Sequence, residues 1–417
     1  MSLLTQRPPR WSAWLTLALL VALYILSFVD RQILAVLAPQ IQADLTLSHF
    51  QIGLLYGAAF SFIYAAAGLF MGRLADRWSR RAMIALGALG WSLATLFSGL
   101  VSSMAALVVF RLILGLSQAT LSPAAYSLLA DRFPRSYRAT VFSIYASSIF
   151  LGLGLSFLVG GSIAQAFDWR VAMIAAGVPG LLLAPLAYVL IGADGRRGED
   201  GDQRPTSEAV AQLQGLLKKP TVRWHLIGFS ALACTGYTIL AFVATFLTDI
   251  VERPDLIPHY GWFLFGVGLT VILSGRLADR LAAADPARRF WMGVVAALGG
   301  LPFYALGLFV VDGFAAFLCL GVAVLISSSY NGVAAALIQY FSPPQGRALT
   351  GALYLFVISI AGFGLGPPLT GLLMDHLYSG SLAPALAFFT VMIPCSAIAT
   401  VAFWRAMNTY HDDLASN

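Results

Sequence analysis

The segment Gly72-Arg-Leu-Ala-Asp-Arg-Trp-Ser-Arg-Arg81 recurs in shortened form as Gly275-Arg-Leu-Ala-Asp-Arg280. The copies are roughly 200 residues apart, and each follows an apolar run of about 20 residues, enough to cross a bilayer. A second pair of landmarks keeps a similar offset: Arg138-Ala139 followed by Gly160-Gly161, and Arg347-Ala348 followed by Gly366 and Gly371. Two related halves therefore make up the chain. In membrane proteins built from repeats the solute site lies where the repeats meet, so the duplication points to a carrier.

The composition belongs in a bilayer. The chain is 59% hydrophobic and 11% charged, against about 25% charged in soluble domains. A net charge of +6 would suit nucleic acid if it were clustered on a soluble face; here the basic residues sit in short loops on one side, and no nucleic-acid partner is expected. Twelve apolar spans are predicted, at 14–37, 50–71, 82–100, 104–129, 139–165, 170–192, 224–248, 259–275, 290–311, 314–340, 348–373 and 383–405. With the first span starting inside, 21 Lys and Arg fall on inner segments and only Arg170 and Arg253 on outer ones. The positive-inside rule then places both termini in the cytoplasm of a multi-pass inner-membrane protein. Trp11, Trp14, Trp78, Trp169, Trp224, Trp262, Trp291 and Trp404 fall near span ends as an aromatic belt would, and Trp91 lies inside a span.

Residues 1–192 form the first half, 193–223 a cytoplasmic linker with a candidate surface helix over Thr206–Leu217, and 224–417 the second half with a short tail. Arg7 and Arg10 precede an apolar stretch of about 24 residues, too long for the core of a signal peptide, so it is kept as the first span. Cys234, Cys319 and Cys395 lie within spans without metal-like spacing. His49, His225, His259, His376 and His411 sit near span ends or in the tail, where interfacial roles are expected. The zinc, nucleophile-elbow and P-loop signatures are absent, so neither an enzyme nor a bound cofactor is expected.

Ionisable groups deep in spans are costly unless they are paired or face water, which makes them the default functional residues of a carrier. Here they are Asp30, Arg31 and Arg111. Asp30 and Arg111 both fall about 10 Å below the outer surface at 1.5 Å per residue, so they can meet if spans one and four are neighbours. Asp30 and Arg31 are about 100° apart around a helix and point different ways. Gln118 lies two turns beyond Arg111 on the same face. In the second half Tyr237, Tyr330 and Asn331 supply polar and aromatic contacts without charge. Asp30 is the candidate coupling residue, and the others are candidate solute contacts. All three charged groups are expected to border one central cavity between the halves, the alternative being a buried Asp30–Arg111 pair that only sets helix register.

Twelve spans in two halves, with Gly-x-Leu-Ala-Asp-Arg-x-x-Arg-Arg after span two and a shortened copy after span eight, resemble the major facilitator superfamily. The resemblance implies an all-α membrane fold of two pseudo-symmetric six-helix halves. It also implies a cytoplasmic gate made by Gly72, Asp76, Arg77, Arg80, Arg81, Asp131 and Asp279, in which Asp76 faces the start of helix eleven and the arginines reach Asp131. A finer match runs through Phe28-Val-Asp-Arg-Gln-Ile-Leu34, Leu37-Ala-Pro-Gln-Ile-Gln-Ala-Asp-Leu45, Gln51-Ile-Gly-Leu-Leu55, Ser122-Pro123, Asp131-Arg-Phe-Pro134 and Arg138-Ala-Thr140. These residues resemble the bacterial Spinster-like branch, linked to lysolipid and sphingoid-phosphate export. The resemblance implies that Asp30, Arg31 and Arg111 bind the headgroup and couple transport to protons. It also leads one to expect a glutamate where this chain has Gln118, which cannot titrate.

The expected function is secondary transport of a small anionic amphiphile by a monomer, with possible proton coupling. An organic-acid or sugar-acid carrier is the alternative within transport. A membrane sensor or scaffold is the alternative outside it.

Overall fold

The computed structural model describes residues 11–192, 214–342 and 347–415, and among them every regular element is helical. Among the described residues twelve helices are long and apolar enough to cross a membrane. They are span one (Trp11–Val36), two (His49–Gly68), three (Arg80–Ser98), four (Met104–Arg132), five (Ser136–Ala166) and six (Trp169–Leu190), then seven (Pro220–Asp249), eight (Tyr260–Ala282), nine (Pro286–Val310), ten (Gly313–Tyr340), eleven (Leu353–His376) and twelve (Ala383–Ala415). The chain is an all-α multi-pass membrane protein.

Local chemistry sets many of the ends. Ser79, Ser103 and Asp168 accept from the backbone N–H groups of Ala82, Ala106 and Val171, satisfying donors that a helix start leaves open. Pro220 opens span seven, where its missing N–H matters least. The repeated segment lies on helix more than on loop. The helix of span two continues to Arg77, leaving only Trp78 and Ser79 before span three, and the second copy lies wholly within span eight. Span twelve runs to Ala415, so the expected tail is helical. Of the linker, 193–213 lie outside the described residues, as does most of the candidate surface helix, and 214–218 are helical.

The duplication reaches the backbone. Span five carries a π-helical turn at Ser156–Gly161 and span eleven one at Ser359–Gly364, separated by the same offset as Gly72 and Gly275. Span four breaks after Gln118, and span ten breaks after Ser327.

Two compact units result, one of residues 1–40 and 63–201, the other of 41–62 and 202–417. The start of span two therefore packs with the second unit although it belongs to the first half by sequence. In the first unit span three lies along span six, and span one along span five. A methyl on Gly177 would stand 2.6 Å from the Ser92 carbonyl oxygen, so these backbones touch as small residues allow in membranes. In the second unit span seven lies along span twelve around a core that includes Phe229, Phe290, Tyr330, Tyr354 and Phe403.

His225 departs from expectation. It is buried in that core, with Nε2 3.1 Å from the Ala334 carbonyl and Nδ1 3.2 Å from the Tyr330 hydroxyl. Its place one residue into the predicted span 224–248 suggested an interface, but the helix begins earlier, at Pro220, and its start is itself covered, with Thr221 and Val222 buried.

Candidate functional site

Spans one and four meet along a polar seam inside the first unit. The Arg111 guanidinium Nη2 donates to the Arg31 carbonyl at 3.1 Å. Two turns further along span four, Gln118 Nε2 donates to the Ser27 carbonyl at 2.7 Å. Its Oε1 accepts from Arg31 Nε at 3.2 Å and Nη2 at 3.0 Å. Residues seven apart on one helix face thus grip span one at points one turn apart. The amide supplies an acceptor where a carboxylate would have supplied charge. The Arg31 guanidinium also stacks over the rings of Phe28, at 4.6 Å, and Tyr64, at 4.8 Å.

Asp30 faces the other way. It is 1% exposed, and neither carboxylate oxygen has a hydrogen-bond partner. Thr95 of span three stands beside it but donates its hydroxyl to the Trp91 carbonyl at 3.1 Å. Arg111, 3% exposed, acts on Asp30 through its field while its described hydrogen bond goes to backbone. The three charged residues are therefore brought together, with Arg31 the most accessible.

An aromatic path leads away from Arg31 that the search for charged residues missed. Phe28 meets Tyr24 edge-on at 5.2 Å, Tyr24 stacks on Tyr145 at 4.3 Å, and Tyr126 meets Tyr145 edge-on at 5.2 Å. Tyr145 is fully buried, its hydroxyl has no hydrogen-bond partner, and Ser122 lies alongside. The signal was in the sequence. Tyr24, Phe28 and Arg31 share one face of span one, and Gln118, Ser122 and Tyr126 recur every four residues on span four.

The second-half candidates do not form such a cluster. Tyr330 is fully buried with its hydroxyl on His225, which corrects its reading as a solute contact, because a ring packed on all sides offers no open face. Tyr237 packs on Phe363 with centroids 4.5 Å apart, and Asn331 is exposed at the first turn after the break in span ten.

Among the residues expected to form the gate, Arg80 Nη1 lies 2.5 Å from Asp131 Oδ2 and donates to Ser127 at 3.0 Å, tying the start of span three to the end of span four. Arg81 turns to the ring of Tyr188 in span six, at 4.6 Å, rather than to Asp131. Gly72 has open space where a side chain would stand, so packing does not require it. Asp279 pairs with Arg289 at 3.2 Å on an exposed surface. The side chains of Asp76 and Arg77 lie outside the described residues. Arg132 adds a tie of its own, donating to the Thr16 hydroxyl and the Ile191 carbonyl.

Comparison with known proteins gives this geometry a context. Residues 20–357 match the family model described as Major Facilitator Superfamily. An MFS-type efflux pump of Mycolicibacterium smegmatis is 30% identical over 407 residues, 96% of this chain and 94% of that protein. The hexuronate transporter of Bacillus subtilis is 27% identical, covering 91% of this chain and 92% of the relative. Protein spinster homolog 3 of Danio rerio is 26% identical, with 88% and 77% covered. The crystal structure of a bacterial homolog of the human lysosomal transporter Spinster, inward-facing and unoccupied, superposes with a TM-score of 0.85 at 24% identity, covering 97% of this chain and 99% of that one.

Proposed function

Because the chain belongs to the Major Facilitator Superfamily and is a transporter related to the Spinster proteins, we propose that it carries a small organic anion with an apolar part, of lysolipid or sphingoid-phosphate type, across the cytoplasmic membrane by alternating access. Both termini lie in the cytoplasm on this reading. The observation that carries it is the Arg31 guanidinium, half-buried, held by a neutral amide and flanked by two rings. Such a cation suits an anionic headgroup with an apolar body beside it, the guanidinium supplying charge and donors and the two rings an apolar flank.

Asp30 is the proton site in this proposal. Its carboxyl is buried, with Thr95 beside it and the field of Arg111 acting on it. In a low-dielectric site an anion drawn to the arginines weakens that support and makes proton uptake by Asp30 more favourable. Anion and proton then move together.

The unbonded Tyr145 hydroxyl supports a second reading, a hydroxylated carboxylate such as a sugar acid, which needs donors and acceptors beyond its charge. Purified protein in liposomes with an inward proton gradient separates the readings: accumulation of a fluorescent lysophosphatidate favours the first, and accumulation of labelled glucuronate the second. Flux of neither, with no binding by calorimetry, would reject both.

A further inference from the structure

Beyond the site around Asp30, the first turn of span two is completed by a carboxylate from span eleven. A helix start leaves four backbone N–H groups open. At this one Ser48 and Gln51 satisfy two donors reciprocally: Gln51 N–H donates to Ser48 Oγ at 3.2 Å, and Ser48 N–H to Gln51 Oε1 at 2.9 Å. The next two are taken by Asp375 in the last turn of span eleven. Its Oδ1 accepts from His49 N–H at 3.0 Å and its Oδ2 from Phe50 N–H at 2.7 Å. Asp375 Oδ1 also lies 2.9 Å from His49 Nδ1.

The backbones beneath are in direct contact. A methyl on Gly371 would fall 2.3 Å from the His49 carbonyl oxygen, one on Gly53 2.5 Å from that of Pro367, and one on Gly57 2.4 Å from that of Phe363. Spans two and eleven are thus zipped along successive glycines, with the Asp375–His49 contact at the end. One span separates this end from each terminus, which puts it on the membrane face opposite them.

We propose that His49 is a second proton-binding site, distinct from Asp30, and that its protonation fastens span two to span eleven at this face. With the Nδ1 proton donated to Asp375, Nε2 remains to take up a proton, and the His49 side chain is 24% exposed, so it can exchange with the aqueous phase. The charged groups facing it are acidic. Asp375 touches it from span eleven, and Asp249 acts on it from the last turn of span seven. Asp44 lies on the short helix Ala38–Leu45 just before it, and His376 turns its Nδ1 to the Leu372 carbonyl. A proton on His49 turns the neutral donor at the Asp375 carboxylate into a cationic one, adding an ion pair to the hydrogen bond, with Asp249 as a second anion acting on it. Acidification of the compartment at this face therefore tightens the contact, and alkalinisation loosens it. Parting of spans two and eleven here becomes harder as the pH falls.

The test uses full-length protein in lipid nanodiscs, native cysteines replaced by Ala, with spin labels at Ala43→Cys and Ser379→Cys. Asp30→Asn is included so that the proposed coupling site contributes no pH response. Distance distributions by double electron–electron resonance at pH 8 and pH 5.5 should show the short-distance population gaining about fivefold over the long one on acidification. His49→Gln, which keeps an N–H donor but does not titrate across this range, should give the same distribution at both pH values. Asp375→Asn should favour the long distance at both. A distribution that ignores pH with His49 in place, or a pH response that survives His49→Gln, overturns the proposal.

Discussion

Gln118 holds Arg31 through one amide oxygen, which accepts from Nε and Nη2 of the same guanidinium at 3.2 and 3.0 Å. The amide thereby positions the arginine. Gln118→Glu would put a carboxylate at that contact and set it in competition with any anionic solute. Affinity for the anion is expected to fall about tenfold at pH 8 and to recover as the new carboxyl is protonated in acid. Calorimetric titration at several pH values checks this, and an unchanged affinity throughout would show that Arg31 does not bind the anion.

Arg31 and Arg111 should fail differently. Arg31→Ala removes the accessible cation, so binding of an anion is lost while the melting temperature stays near that of the parent. Arg111→Ala strips the charge that answers Asp30 and the donor to the Arg31 carbonyl. Losing a hydrogen bond from a charged donor costs about 1.5–3 kcal/mol. A melting temperature lowered by Arg111→Ala but not by Arg31→Ala is the expected pattern.

Asp30→Asn should abolish uptake driven by a pH gradient while sparing solute exchange between compartments of equal pH. The amide occupies the same volume but carries no exchangeable charge. Liposome assays of both modes with one protein preparation give the comparison. Survival of pH-driven uptake would remove Asp30 from the coupling role.

Tyr145→Phe deletes a buried hydroxyl that has no hydrogen-bond partner. If that hydroxyl only packs, its removal leaves stability unchanged or raises it by up to about 1 kcal/mol, and transport is untouched. On the sugar-acid reading KM for a hydroxylated anion rises several-fold while the melting temperature does not fall.

The gate proposal predicts that Asp76→Asn and Arg80→Ala act alike. Arg80 ties spans three and four through Asp131 and Ser127, and Asp76 is the anion proposed to face a helix start. Both substitutions should shift labelled cytoplasmic ends toward longer separations. Unchanged distances in Asp76→Asn would reject the role of Asp76 in the gate.

Hydropathy and the repeated Gly-Arg-Leu-Ala-Asp-Arg determined the helical class, the twelve spans and the duplication, because a bilayer forces any crossing backbone to satisfy its own hydrogen bonds. Asp30, Arg31 and Arg111 were legible for the same reason, charge in hydrocarbon being rare and costly. Which partner each took was not. Arg111 could have bonded a carboxylate but bonds a backbone carbonyl, and Tyr330 could have faced solute but closes on His225. The His49–Asp375 contact joins residues 326 apart in sequence, and neither carries a local signal of the other. Helix type follows from forces along the chain, whereas pairings across spans follow from how helix faces rotate and approach, which only the packed tertiary structure decides.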